Sequence, residues 1–342
     1  MTGVRRLYLD RSPGEARAVV TLDGKLERLL IDREAEPQRA RLCEKWRGRV
    51  RRVTRGFRGA FVDLGLPHDG LLALDTGVRV TEGAAVEVEV TAEAHADKGP
   101  TLRLLAPGEG LPLRLALAPP LDVRLRAFAP DAKIEKGDEA RTLADEAEMA
   151  ALERRFPLTL DLTVTVERAR GMIPVDVDFG AAGAGRNAIL EANRTALAET
   201  ARLVRLKGLG GLIVIDLAGP AKERETLLAA ARAAFEPDDP GVVIAGISRL
   251  GVLELARPWR ERPVAETLCG PDGRPSARSV AQRLLRSLEG EGRADPGAAR
   301  IVGRCAPEVA TEAAPFIGAL GPRFAIEADP SFHRFAFATR VL

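Results

Sequence analysis

The chain has 342 residues, of which 46% are hydrophobic and 29% charged, and its net charge is +2. That length exceeds what one hydrophobic core usually serves, so two or three domains are expected, and the composition excludes a disordered or collagen-like chain. The near-neutral total excludes a polycation, and the dispersed Cys43, Cys269 and Cys305 exclude a disulfide framework or a CxxC metal pair. No run approaches the ~20 apolar residues of a membrane helix, and the N-terminal stretch MTGVRRLYLDRSPGE lacks the apolar centre of a signal peptide. A protein of the reducing cytoplasm, with no membrane partner, is therefore expected.

Residues 1–36 alternate as RLYLDR and RAVVTLDGKLERLLID, with Asp23-Gly24 marking a tight hairpin turn. Residues 37–106 then read as five short strands, WRGRVRRVT, GAFVDLG, DGLLAL, AAVEVEVTA and PTLRLLA, which fits a small closed β-barrel of OB type. Its first part is dense in cations: Arg39, Arg41, Lys45, Arg47, Arg49, Arg51, Arg52, Arg55 and Arg58, with Glu44 as the local offset. Such density suits a phosphate backbone, and it equally suits a solvated strand face. Residues 107–157 are broken by prolines and read as a connector that ends in a helix, ARTLADEAEMAALERRF.

Residues 158–262 change to alternating strands and helices. The strands LTLDLTVTVE and MIPVDVDF precede a glycine-rich loop over 180–185, which matches neither a Walker A nor a GxGxxG loop. A helix over 186–206 follows, with Leu190, Leu197, Ala201 and Val204 on one stripe and Gly208, Gly210 and Gly211 as its stop. Then come the strand LIVIDL, a helix opened by Pro220 and the strand GVVIAGIS, which together predict a mostly parallel or mixed sheet covered by helices. Residues 263–342 read as a small αβ unit, with a helix after Ser276 that aligns Val280, Leu284 and Leu288.

Within IPVDVDF, Asp176 and Asp178 are two apart and share one strand face, and Asp216 closes the apolar strand GGLIVID. If those two strands are neighbours, Asp176 and Asp216 form a hard oxygen site suited to Mg²⁺. Spacing alone leaves the alternative open that Asp216 caps a loop and Asp178 solvates a strand end. His68, His95 and His333 are isolated in sequence, and Cys269 has no visible catalytic partner.

The stretches SPGEARAVVTLDGKLERLLIDRE, RGRVRRVTRGFRGAFVDLGLPHDGLLAL, IPVDVDFG, RLVRLKGLGGLIVIDL and ISRLGVLELAR resemble the ribonuclease E/G family. The resemblance covers residues 4–105 and 158–259. It implies a multidomain α+β and α/β protein: an OB-fold inserted near the N-terminus, a ribonuclease H-like and DNase I-like catalytic core, and a small C-terminal αβ unit. It implies single-stranded RNA as partner, including ribosomal RNA precursors, and Mg²⁺-dependent endonucleolytic hydrolysis that leaves 5′-phosphate ends.

Carried over by position, the family's magnesium aspartates fall on Asp176 and Asp216, its aromatic base platform on Phe61 and its basic contact on Lys98. Asn193 matches a family asparagine, and Arg194, Arg205, Lys207 and Arg249 are candidate phosphate contacts, although helix-face cations also serve as plain surface. Three departures stand out. Asp178 replaces an active-site asparagine and cannot donate an amide hydrogen bond. Leu71 stands where a second aromatic is expected. The zinc motif is reduced to Cys269 alone, so zinc is not expected, although a zinc-free homodimer stays open. The family's 5′-end sensor segment finds no match in the fifty or so residues before the core. The alternative expectation is a catalytically impaired RNA-binding or ribosome-assembly protein on the same scaffold. A DNA-directed nuclease is disfavoured by the stacking barrel, although nothing in the sequence reads a 2′-hydroxyl.

Overall fold

The computed structural model describes residues 3–34, 36, 38–54, 56, 58–74, 78–180, 185–220, 223–236 and 241–342. The centre of the glycine-rich loop (181–184) and Arg55 of the basic run lie outside the described residues.

Strands β1 (Arg5–Ser12), β2 (Glu15–Leu22) and β3 (Lys25–Arg33) form an antiparallel meander. Asp23 and Gly24 join the last two with φ of 49° and 78°, the left-handed pair that a two-residue hairpin turn requires. Both faces of this sheet are covered. Leu7, Leu9, Ala18, Val20 and Leu30 fill one core, whereas Tyr8, Val19, Leu29 and Ile31 fill another. The expected hairpin is thus part of a larger, two-sided sheet.

Strands β4 (Lys45–Thr54), β5 (Gly59–Asp63), β6 (Gly70–Ala73), β7 (Ala85–Ala92) and β8 (Thr101–Pro107) pair in the order β5-β6-β8-β7-β4, and β4 pairs back to β5, which closes a ring. Period-two alternation drives it: Val86, Val88 and Val90 are buried while Glu87 and Glu89 between them are not. The ring encloses Trp46, Val50, Val62, Leu72 and Leu102.

The stretch read as a connector has structure of its own. Strand β9 (Leu113–Ala116) adds to β4, and helix α1 (Leu121–Arg126) packs on the first sheet. Strand β10 (Ile134–Glu135) pairs parallel with β1. Helix α2 (Asp138–Leu152) lays Ala140, Ala144, Ala147 and Ala151 against that sheet, a stripe of small residues that permits close approach. It stops short of the predicted end because Glu153 turns extended, and β11 (Arg155–Pro157) begins.

Next come β12 (Leu162–Val166), β13 (Ile173–Phe179), α3 (Arg186–Leu206), β14 (Gly211–Asp216), α4 (Arg224–Phe235), β15 (Val243–Ile247) and β16 (Val252–Arg257). They build a six-stranded sheet in the order β11-β12-β13-β14-β16-β15. Only β13 and β14 run parallel, joined through α3, and the remaining pairs are antiparallel. The sheet is mixed, as the alternation predicted, but its covering is one-sided. Helices α3 and α4 bury Val175, Val177, Ile213, Ile215, Leu253 and Leu255. The opposite face carries exposed Asp176, Asp178, Leu212, Asp216, Val243 and Glu254. Strand β16 was not foreseen, because it follows β15 as a hairpin rather than as a crossover.

Helix α5 (Val264–Leu268) leads to α6 (Ala277–Ala294), whose Ser276 side chain caps the Ser279 N–H. Strands β17 (Ile301–Cys305), β18 (Phe324–Ala328) and β19 (Phe337–Val341) form a small sheet ordered β18-β17-β19, packed on α6 and α7 (Pro307–Ile317). Buried charge ties this unit to the first sheet. Arg286 reaches Glu15 at 2.5 Å and Glu148 at 3.2 Å, Arg33 reaches Glu15 at 2.7 Å, and Arg17 reaches Asp10 at 2.5 Å and Glu148 at 2.8 Å. Among the described residues, no helix is long and apolar enough to cross a membrane.

Candidate functional site

The parallel pairing of β13 and β14 sets Asp176 directly opposite Asp216. Neighbouring strands lie about 4.8 Å apart, so two opposed side chains on one face start within reach of a common ion. The pair lies on the open face of the sheet, with Asp178 two residues further along β13. Partial burial, then the carboxylates of Asp178 and Asp216, push the Asp176 carboxyl above the ordinary carboxylate range. Among the described residues, no hydrogen bond or salt bridge ends on Asp176, Asp178 or Asp216, so their mutual repulsion is not relieved from within. Also among the described residues, no three or more His, Cys, Asp or Glu side chains group closely enough to cage an ion. Two hard oxygen donors side by side, with the remaining positions left to water and substrate oxygen, suit Mg²⁺ better than Ca²⁺ or Zn²⁺.

The antiparallel pairing of β16 sets Val252 opposite Asp216, so Glu254 shares the open face with the aspartates. Sequence reasoning missed Glu254 because it missed the strand; the alternation VLELAR was the available signal. The same pairing brings the turn between β15 and β16 beside Asp216, and exposed Arg249 sits in that turn. Ser248 N–H donates to the Val252 carbonyl at 2.8 Å, and Gly251 N–H to the Ser248 carbonyl at 3.1 Å, which fixes the turn.

Asn193 works behind this rim rather than in it. It is 2% exposed. Its Nδ2 donates to the Ala218 carbonyl at 3.0 Å and its Oδ1 accepts from the Ala218 N–H at 2.9 Å. Both amide functions are used to hold the chain just after Asp216, so Asn193 is a positioning residue.

The four candidate phosphate contacts divide. Arg194 is exposed and pairs with Glu191 at 3.2 Å, and Arg249 is exposed at the rim. Arg205 and Lys207 turn inward, which corrects their expected role. Arg205 pairs with buried Glu27 at 2.9 Å and donates to the Ala234 carbonyl. Lys207 Nζ donates to the carbonyls of Ala151 and Glu153 at the end of α2, and burial lowers its pKa to about 8. Their helical period placed them on the face that α3 packs, a fact invisible without the fold.

On the barrel, Phe61 is half-buried on the outer face, opposite Leu71 and Arg52, and the Arg52 guanidinium lies 4.9 Å from its ring centre. Phe61 belongs to no hydrophobic cluster among the described residues, which argues against a barrel-core role. The basic run is less naked than it reads. Arg39 pairs with Glu93 and Glu36, Arg47 with Glu87, and Arg51 with Asp63 and Asp69, because folding brings those acids alongside.

Lys98 is exposed in the loop between β7 and β8. That loop is fastened to the start of the C-terminal third: the Ala96 N–H donates to the Glu266 carboxylate at 2.9 Å, and the His95 ring stacks on Trp259 at 4.1 Å. His95 is therefore not isolated, and burial lowers its pKa. This contact lies at the rim where β14 begins, Gly211 facing Arg257, whereas Asp216 ends that strand. Five residue steps at ~3.3 Å separate the two rims by roughly 17 Å.

Two similarities accompany this geometry. Residues 132–260 match the Ribonuclease E/G family. A segment of 111 residues is 32% identical to the "Ribonuclease E/G-like protein, chloroplastic" of Arabidopsis thaliana. That alignment covers 29% of this chain and only 11% of the plant protein.

Proposed function

We propose that this chain, whose residues 132–260 match the Ribonuclease E/G family, is an endoribonuclease that hydrolyses single-stranded RNA at Asp176 and Asp216 with Mg²⁺. The observation that carries the reading is the in-register Asp176–Asp216 pair on an uncovered sheet face, with no salt bridge to either carboxylate among the described residues. Asp176 and Asp216 would hold the ion. When bound, Mg²⁺ supplies charge neutralisation for a phosphodiester and activation of a water, leaving a 5′-phosphate end.

The chain's own residues do the rest. Asn193 keeps the end of β14 in place through Ala218. Arg249 offers a guanidinium at the rim, where a phosphate beside the aspartates would need a counter-charge. The closed five-stranded ring acts as an OB-type grip, with Phe61 as a stacking platform, Arg52 layered on it and Lys98 as a further cation. Leu71, in contact register with Phe61, offers no second ring, so the grip is weaker than a two-aromatic site.

The test is incubation of end-labelled single-stranded RNA with the parent and an Asp216→Asn variant, each with Mg²⁺ and with EDTA. Metal assistance supplies several kcal/mol, so the variant should lose roughly a thousandfold in rate. Cleavage that continues in EDTA, or undiminished in the variant, refutes the assignment.

A further inference from the structure

A second aromatic and arginine platform lies far along the chain, in the segment between β18 and β19. Phe335 joins no hydrophobic cluster among the described residues. Its ring is held instead by guanidinium groups: Arg334 at 4.5 Å and Arg274 at 5.6 Å from the centre, with the His333 ring 4.8 Å away. His333 and Arg334 are exposed and Phe335 is half-buried. Asp272 pairs with Arg334, whereas Arg274 has no carboxylate partner among the described residues. This repeats the chemistry of Phe61 under Arg52, a ring left outside the core and layered with a guanidinium.

Arg274 also lines a cavity of about 980 Å³ that runs to the barrel loop at Ala96 and Asp97. Its wall includes Arg154, Arg168, Lys207 and Arg262. The acids there are already engaged: Asp97 with Arg170, Glu167 with Arg154, and Glu266 with Arg168 and Arg262. Arg154, Arg168 and Arg262 are the partners of those acids, and Lys207 is bonded to carbonyls. That leaves Arg274 as the wall cation without a carboxylate among the described residues, at the Phe335 end of a path from the barrel loop.

We propose that this path, ending on Phe335 with His333, Arg274 and Arg334, is a second binding surface for single-stranded RNA. Bases stack on aromatic rings and on guanidinium planes, and the backbone follows fixed cations. A protein partner would need an apolar centre to its interface, and this surface instead presents charge and ring faces. The inference rests on the RNA-binding reading of the barrel but not on cleavage.

The experiment measures binding of fluorescent single-stranded RNA of about 6 and about 24 nucleotides to the full chain in EDTA. A single OB-fold engages ~4–16 nucleotides, so the short RNA reports on the barrel and the long one on both surfaces. Phe335→Ala should weaken the long RNA roughly five- to tenfold and leave the short one unchanged, because each stacked base is worth ~1–3 kcal/mol. Phe335→Trp should retain affinity, and Arg274→Gln should lower the salt slope by about 0.7, one single-strand phosphate contact. Photocrosslinking of 4-thiouridine RNA should label residues 333–335. Unchanged affinity of Phe335→Ala for the long RNA, with crosslinks confined to the barrel, overturns the second surface and leaves the barrel reading standing. Absence of binding by both lengths overturns both.

Discussion

Replacing Asn193 with Ala probes how the acidic rim is held. The side chain is 2% exposed and Ala218 is 9% exposed. Removing the amide orphans a buried N–H that is bonded at 2.9 Å and a buried carbonyl bonded at 3.0 Å. An unsatisfied buried polar group costs ~1–3 kcal/mol, so Asn193→Ala should lose about 2–4 kcal/mol after partial relaxation. Asn193→Asp separates the two bonds. The carboxylate still accepts from the Ala218 N–H but turns a lone pair toward the Ala218 carbonyl, so this variant should also be unstable at neutral pH. Lowering the pH protonates that acid, restores a donor and should recover part of the loss, a rescue that Asn193→Ala cannot show. The assays are urea unfolding at pH 7.5 and 5, and RNA cleavage and binding in parallel. Because the clamp acts on the chain leaving β14, cleavage should fall with little change in RNA affinity. A stability loss for Asn193→Ala below about 0.5 kcal/mol, the range of ordinary surface changes, would refute the clamp.

Two further outcomes follow from charge. Asp178→Asn removes one of the carboxylates that raise the Asp176 pKa, so the acid limb of the pH–rate profile should move to lower pH; an unmoved limb with intact cleavage would show that Asp178 does not act on Asp176, and loss of cleavage would make Asp178 a working ligand. Burial works to raise the Glu148 pKa, but Arg286, Arg17 and Arg283 outweigh it, and the net direction is down. Its contribution to stability is therefore present above the unfolded carboxyl range and is lost as pH falls through the folded value. Urea midpoints between pH 7 and pH 3 should fall less steeply in Glu148→Gln than in the parent, and equal slopes would remove Glu148 from the account.

Much of the fold was legible because local signals agreed with the final packing. The Asp23-Gly24 turn, the alternation of AVEVEVTA and the leucine and alanine stripe of α3 each specify one arrangement. The carboxylate pair was legible as a type of chemistry, since Asp176 lies within one apolar strand and Asp216 ends another, but its register needed the parallel pairing. Long-range compensation was hidden. The arginines between residues 39 and 58 read as bare charge, yet the acids that meet them arrive from residues 63, 69, 87 and 93. Arg205 and Lys207 failed for the related reason that a cation can serve a buried carboxylate or carbonyl as well as a phosphate. Strand β16 was missed because only the run before the turn over 248–251 was read as a strand, and the hairpin return VLELAR was not.

The charged seam between α6 and the opening meander bears on the order in which the polypeptide can mature. Glu15 and Arg33 emerge early in synthesis, whereas Arg286 and Ser279, which complete their surroundings, emerge some 250 residues later. Until then the Glu15–Arg33 pair within the first sheet lacks the Arg286 and Ser279 groups that complete it, so its final consolidation waits on the last third of the molecule.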